Sequence, residues 1–154
     1  MGAVSSPEAG VEITIREFTM DDYPAVRDLW TRAGLPFRPL GRDREERVAA
    51  EISRDTAVFL VAVAGEQLAG VVFGTHDGRR GWINRLAVAP DFQRRGVARR
   101  LVQEVEQRLE ARGLEITSAL IESDNEASLG FFAAIGYVHG DDVEYFSKRR
   151  SADT

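Results

Sequence analysis

Residues 84–109, NRLAVAPDFQRRGVARRLVQEVEQRL, combine a strand pattern and a helix pattern around a single glycine. The first residues are apolar, as in a buried strand, and residues 96–112 repeat apolar side chains at helical spacing. Gly96 stands at the point where the helix begins. The sequence therefore predicts a tight connection, QRRGVA, between a strand and a long helix.

The glycine in this connection has two explanations. The first backbone N–H groups of a helix have no partner inside the helix, and they carry partial positive charge. A phosphate satisfies both conditions if it can approach closely, which a glycine permits and which Arg94 and Arg95 favour. Alternatively, the glycine serves only a tight turn. A P-loop and a dinucleotide fingerprint are excluded, because there is no Gly-Lys-Ser/Thr and only one glycine.

The rest of the chain predicts one domain of the α/β or α+β class, with a mixed central sheet flanked by helices on both faces. The predicted order is βααβββαβαβ. A crossover through the long helix makes the strands before and after it parallel. Asp43 is the expected cap of the second helix. The strands are 11–18, 57–64, 68–74, 82–89, 115–123 and 143–147, and the helices are 19–33, 43–55, 96–112 and 125–136. Residues 1–10 and 149–154 are predicted to be disordered, and the domain spans 11–148.

Composition excludes several classes of function. A formal net charge of −5 argues against a nucleic-acid partner, because phosphate contacts need a basic surface. The chain has no cysteine and two histidines, so no metal site is expected. No apolar stretch reaches the ~20 residues of a membrane span, and no signal peptide is evident, so a cytoplasmic location is expected.

Two motifs resemble the GNAT N-acetyltransferase superfamily. QRRGVA, residues 93–98, fits the family signature Q/R-x-x-G-x-G/A. NEASLGFFAAIGY, residues 125–137, has the family's asparagine, apolar helix and Gly-aromatic pair at the family's spacing. Both motifs lie on the family's element order, so the resemblance covers about 11–148. It is greatest with small stand-alone bacterial members, the YpeA-like acetyltransferases, which share a DG-x-RG turn.

The resemblance implies the GNAT acyl-CoA N-acyltransferase fold, with acetyl-CoA as the donor and a primary amine of a small molecule or protein as the acceptor. Transfer would be direct, through a tetrahedral intermediate that a backbone N–H near Val88 stabilises. The pantetheine arm would lie along Leu86, Ala87 and Val88 where the fourth strand bulges and separates from the fifth. Asn125 would bind the cofactor, cap its helix, or do both. The pyrophosphate would bind the amides of Arg94, Arg95, Gly96, Val97, Ala98 and Arg99.

The usual catalytic groups of the family are missing from this sequence. The tyrosine that serves as acid is replaced by Phe132, for which a core position is the favoured interpretation. The positions of the family's glutamate bases hold Asn84 and Leu120. Glu122 shares the predicted strand face of Leu120 and is the candidate base through a water, although an exposed strand-end carboxylate without a catalytic role is the favoured interpretation. Tyr145, on the last strand, is a second candidate proton donor.

The acceptor and the partners stay open. In the family, the loop between the first two helices and the last strand shape the acceptor site. Here the loop carries Arg38 and Arg42, which suit a carboxylate, and the last strand carries Asp141, Asp142 and Glu144, which suit an amine. The alternative function is a catalytically weak or idle acyl-CoA-binding module, used as a sensor or interaction domain, because the phenyl ring of Phe132 cannot donate a proton. The expected state is a monomer or a homodimer.

Overall fold

The computed structural model describes residues 12–152 and 154. The predicted leader, residues 1–10, lies outside the described residues. A short 3-10 turn precedes α1 and another precedes α3. The elements are β1 (Ile13–Glu17), α1 (Tyr23–Arg32), α2 (Glu45–Ile52), β2 (Ala57–Ala64), β3 (Gln67–His76), β4 (Gly81–Val88), α3 (Val97–Ala111), β5 (Thr117–Ala119) and α4 (Glu126–Ala134). This order confirms the first nine predicted elements.

The five strands form one mixed sheet in the order β1-β2-β3-β4-β5. Strands β1 to β4 pair antiparallel, and β4 pairs parallel with β5. The parallel pair follows from the chain crossing through α3, because a short hairpin cannot join parallel strands. The mixed sheet and the parallel pair are as predicted.

One face of the sheet is covered by α3. The sheet carries glycines beneath this helix, and a Cβ added at Gly74 would lie 2.6 Å from the Cγ1 atom of Val105. A Cβ added at Gly70 would lie 3.0 Å from side-chain atoms of Leu101 and Val97. Small residues in β3 therefore let α3 approach the sheet closely. The predicted apolar stripe of the helix is buried, as expected: Val97, Leu101, Val102, Val105 and Leu109.

The opposite face is covered by α1 and is aromatic. Phe73 stacks on Phe59 with ring centroids 3.8 Å apart, and its ring also contacts Trp30 and Phe18, each at 5.3 Å. Neighbouring residues of a strand point to opposite faces, so Phe73 faces α1 while Gly74 faces α3. The sheet therefore has helices on both faces, as predicted.

Two of the predicted strands need correction. Strand β5 spans only Thr117–Ala119 instead of 115–123, and the described residues after α4 form no strand at 143–147. Val143 and Tyr145 are 72% and 64% exposed. Alternating sequence favours a strand, but a strand exists only where a neighbour pairs with it, and β5 pairs over only three residues. None of the helices in residues 12–152 has the length and apolar character that a membrane span requires.

Candidate functional site

The connection QRRGVA turns the chain into α3 through two left-handed residues. Arg94 has φ 64° and Gly96 has φ 77°. The first helix hydrogen bond runs from the N–H of Arg100 to the carbonyl of Gly96, at 3.0 Å. The N–H groups of Val97, Ala98 and Arg99 come before this bond and have no acceptor in the helix. Backbone N–H groups grouped around left-handed residues form concavities that bind anions.

Gly96 is required by the backbone conformation and not by packing. A Cβ added there would meet no atom within 4 Å, but φ 77° strains any residue that has a Cβ. The tight-turn explanation of this glycine is therefore sufficient, and the open space beside it also leaves room for a ligand. The guanidinium of Arg95 lies over the ring of Phe92, 5.3 Å from its centroid.

Strand β4 carries a bulge just before the connection. Ala87 pairs with Val71 and Asn84 pairs with Phe73, so two residues of β4, Arg85 and Leu86, lie opposite one residue of β3. Arg85 adopts φ 53°, a conformation that residues other than glycine rarely adopt. The bulge lies at the position that the resemblance implied.

After the bulge, β4 presents backbone groups with which no strand in the described part of the chain pairs. The N–H of Ala89 donates to the carbonyl of Ala69 at 2.8 Å, toward β3. Alternation along an antiparallel strand then turns the backbone groups of Val88 to the opposite side. Strand β5 pairs with β4 only as far as Ile83, so the two strands separate after that residue. We call the gap between β5 and the end of β4, residues 86–88, the splay. The Nε2 group of Gln93 donates to the carbonyl of Val88 at 3.5 Å, which links the connection to the splay.

Asn125 begins α4 and caps it. Its Oδ1 atom accepts a hydrogen bond from the N–H of Ser128 at 3.1 Å, which confirms the predicted cap. Since the cap uses the oxygen, the two hydrogens of the side-chain amide are still available as donors to a ligand.

Phe132 lies in the core, as the favoured interpretation has it. It is 7% exposed, and its ring makes edge contacts with Phe131 at 5.1 Å and Tyr137 at 5.0 Å. The hydroxyl of Tyr137 donates to Oε2 of Glu106 at 2.7 Å. Burial raises the pKa of Tyr137 well above that of a free tyrosine, and the hydrogen bond to Glu106 raises it further.

The two candidate proton carriers are both exposed. Glu122 follows β5 and is not part of it, so the predicted strand face shared with Leu120 is wrong. Tyr145 lies in the unpaired segment after α4, because the last predicted strand does not form. The sheet therefore fixes the direction of neither side chain.

A family model described as the acetyltransferase (GNAT) family matches residues 15–137 of this chain. The chain belongs to this family. The acetyltransferase is also 37% identical over 123 residues to Acetyltransferase ECA0875 of Pectobacterium atrosepticum. These residues make up 80% of this chain and 86% of the relative.

Solved structures share the fold of this acetyltransferase. AAC(6')-Iy, in complex with the bisubstrate analog CoA-S-monomethyl-acetylneamine, is 19% identical, with a TM-score of 0.75 over 90% of this chain and 99% of the other. The PaiA N-acetyltransferase of Thermoplasma acidophilum, in complex with coenzyme A, is 20% identical, with a TM-score of 0.74 over 84% of this chain and 92% of the other. These likenesses confirm the fold class that the element order and motifs predicted.

The structure adds an ion pair that the sequence analysis did not predict. Asp43 is not the cap of α2, whose N-cap is Arg44. Instead, Asp43 is 5% exposed and accepts from Arg85 on both oxygens, with Nε–Oδ1 at 2.9 Å and Nη2–Oδ2 at 2.6 Å. A guanidinium fork fits a carboxylate in this way, and burial strengthens the pair. The one signal in the sequence was an arginine inside the apolar strand run INRLAVA.

The loop that carries Asp43 is positively charged on its outside. Arg38 and Arg42 are exposed on the same loop, and Arg85 uses both carboxylate oxygens of Asp43. Although Arg42 is exposed overall, partial desolvation of its guanidinium lowers its pKa, and the neighbouring guanidinium of Arg85 lowers it further. Among the charges that act on Arg42, Arg38 and Arg149 are also basic, and Asp43 is acidic.

Proposed function

We propose that this acetyltransferase moves an acetyl group from acetyl-CoA directly to a primary amine. The observation that carries the proposal is the set of backbone N–H groups at Val97, Ala98 and Arg99, which open α3 without a helix acceptor beside Gly96. A diphosphate is the ligand that best fits such a helix start. Coenzyme A is present in the structures of AAC(6')-Iy and PaiA that share this fold, which supports the same donor here.

The rest of the donor fits the splay between β4 and β5. The pantetheine arm carries amides, and the backbone groups of Leu86 and Val88 would pair with them, with Ala87 between. The amide of Asn125 would donate to the same arm. Acetyl-CoA supplies an activated thioester carbonyl when it is bound. A backbone N–H near Val88 that does not pair with the arm would then stabilise negative charge on the carbonyl oxygen during transfer.

Proton transfer depends on weaker candidates. A lysine-like amine has a pKa near 10.4, so at pH 7 only roughly one molecule in two thousand is neutral. We assign the removal of this proton to Glu122, through a water. A thiol with a pKa near 8.5 is a tolerable leaving group, so the missing acid at Phe132 slows the reaction by about 10²–10⁴-fold at most. Tyr145 is the hydroxyl that we propose protonates the thiolate.

The charge of the loop between α1 and α2 favours an acceptor with an anionic group. Arg85 reaches from the bulge to this loop, so the loop lies beside the proposed position of the thioester. Arg38 and Arg42 are exposed there, and they attract a carboxylate or a phosphate. AAC(6')-Iy is an aminoglycoside acetyltransferase, and an aminoglycoside carries several amines. The acceptor proposed here carries an anionic group and so differs in charge from an aminoglycoside.

The donor can be tested by thermal unfolding with acetyl-CoA, coenzyme A or ATP. A ligand at a hundredfold excess over Kd stabilises by about 2.7 kcal/mol, which corresponds to roughly 5–10 °C in Tm at this chain length. We expect this shift with acetyl-CoA and coenzyme A and a smaller one with ATP. Equal shifts with all three, or none, would contradict the donor assignment.

The reaction can be tested by release of the coenzyme A thiol in the presence of matched amines. Each pair comprises an amino acid and the amine that lacks its carboxylate. We expect release with primary amines and a preference for the amino acid in each pair. A thermal shift with acetyl-CoA but no thiol release with any amine would favour the alternative, an acyl-CoA-binding module without catalysis.

A further inference from the structure

We propose that Arg85 and Asp43 are a positioning pair, which fixes the loop at residues 36–43 to the bulge of β4 and so places the acceptor amine. This inference rests on the proposed function, because it assumes that the acceptor approaches along that loop. It assigns to an arginine in the sheet a role in binding the acceptor.

The contacts make Asp43 the centre of the loop. Besides both bonds from Arg85, its Oδ2 atom accepts from the N–H of Arg38 at 2.5 Å. Its backbone carbonyl accepts from the hydroxyl of Tyr23 at 2.8 Å, and Nη1 of Arg85 donates to the carbonyl of Pro36 at 3.2 Å. Both ends of the loop therefore depend on the same two side chains.

The other end of the pair is the bulge itself. Arg85 precedes Leu86, and both residues lie in the bulge of β4 beside the splay proposed to hold the donor. A shift of Arg85 would thus move the loop relative to Leu86 and Val88. Acyl transfer is sensitive to the distance between amine and carbonyl, because proximity supplies much of the rate. The pair is therefore expected to affect the acceptor more than the donor.

The backbone at Arg85 also argues that its side chain has a specific role. A left-handed φ of 53° suits glycine or asparagine, which adopt it with little strain. Arginine occupies the position, and its guanidinium is satisfied on three nitrogens: two donate to Asp43 and one to Pro36. The strained backbone and the buried ion pair are thus joined in one residue.

The conformation at Arg85 gives a sharp test. Arg85→Asn removes the ion pair but tolerates the left-handed backbone, and Arg85→Lys keeps the charge without the two-pronged bond. Arg16→Asn is the matched control, because Arg16 forms a similar pair with Asp22, at 2.8 Å for both bonds, on the outer strand β1. Circular dichroism at the assay temperature verifies that each variant is folded.

The kinetic readout separates positioning from general damage. With an amine that the wild type acetylates, we expect Arg85→Asn to lower kcat/KM for the amine at least tenfold and to change the Kd for acetyl-CoA less than threefold. Arg85→Lys should recover part of the loss, and Arg16→Asn should change neither constant more than threefold. An unchanged kcat/KM in Arg85→Asn, or an equal loss of affinity for acetyl-CoA, would overturn the proposal.

A second readout does not depend on activity. Hydrogen exchange measures protection of the loop amides, including the N–H of Arg38, which donates to Asp43. We expect amide exchange at residues 37, 38 and 40–43 to quicken at least tenfold in Arg85→Asn and to stay as in the wild type in Arg16→Asn. Unchanged exchange would overturn the pairing role. If the wild type acetylates no amine while this exchange result holds, the proposed function fails and the fixing of the loop stands.

Discussion

The hydroxyl of Tyr137 donates a 2.7 Å hydrogen bond to Oε2 of Glu106, and this bond joins the segment that follows α4 to the middle of α3. The ring of Tyr137 also packs on Phe132. Strand β5 is short and α4 carries one buried residue, so this contact is an important link between the C-terminal part of the chain and the core.

The raised pKa of Tyr137 predicts a loss of stability at high pH. In the folded state the phenol stays protonated, whereas in the unfolded chain it ionises near pH 10. Stability from this group is therefore complete below pH 10 and declines as pH rises above it. Urea unfolding between pH 8 and 11 measures the decline. In Tyr137→Phe we expect stability to decline less steeply over this pH range.

Gly96→Ala should weaken donor binding and stability together. The left-handed backbone costs a residue with a Cβ roughly 1–2 kcal/mol, and the methyl group occupies the open space beside the helix start. We expect the Kd for coenzyme A to rise at least tenfold, as measured by calorimetry. Gly113→Ala is the control, since Gly113 is also left-handed and open, at the other end of α3. Equal affinities in the two variants would argue against a diphosphate-binding site at Gly96.

Substitutions at Asn125 should separate its cap from its proposed contact with the donor. Asn125→Ala loses the cap, which costs about 0.5–2 kcal/mol of stability. Asn125→Ser retains an oxygen that caps but has no amide donor. We therefore expect both variants to bind coenzyme A more weakly and only Asn125→Ala to lose substantial stability. Wild-type affinity in Asn125→Ser would restrict this residue to capping.

Glu122→Gln tests the proposed base. Loss of a general base typically lowers the rate by about 10²–10⁴-fold, and the effect falls on kcat. We expect kcat to fall at least tenfold, with a changed dependence of the rate on pH and an unchanged Kd for acetyl-CoA. Glu126→Gln, an exposed neighbour at the start of α4, should behave as the wild type. A wild-type pH profile in Glu122→Gln would remove Glu122 from the mechanism.

The part of the fold that local periodicity determines was predictable from the sequence. The apolar stripe of α3, the glycine at its start and the cap at Asn125 each depend on neighbouring residues, so short windows of sequence reveal them. The pair of Arg85 and Asp43 joins positions 42 residues apart, and no local pattern indicates it. The strand predicted around Val143 does not form. Its local alternation favours a strand, but a strand also needs a distant sheet edge to pair with, and the local sequence does not show whether that pairing occurs.

The splay between β4 and β5 has a consequence for how the enzyme can change. The groups proposed to hold the donor there are peptide N–H and carbonyl groups, which every residue except proline possesses in full. Most point mutations along Leu86–Val88 therefore leave the donor's main-chain partners in place. The loop at residues 36–43, by contrast, is proposed to meet the acceptor through side chains. Divergence in acceptor preference can accumulate in that loop while the capacity to bind the coenzyme is inherited unchanged.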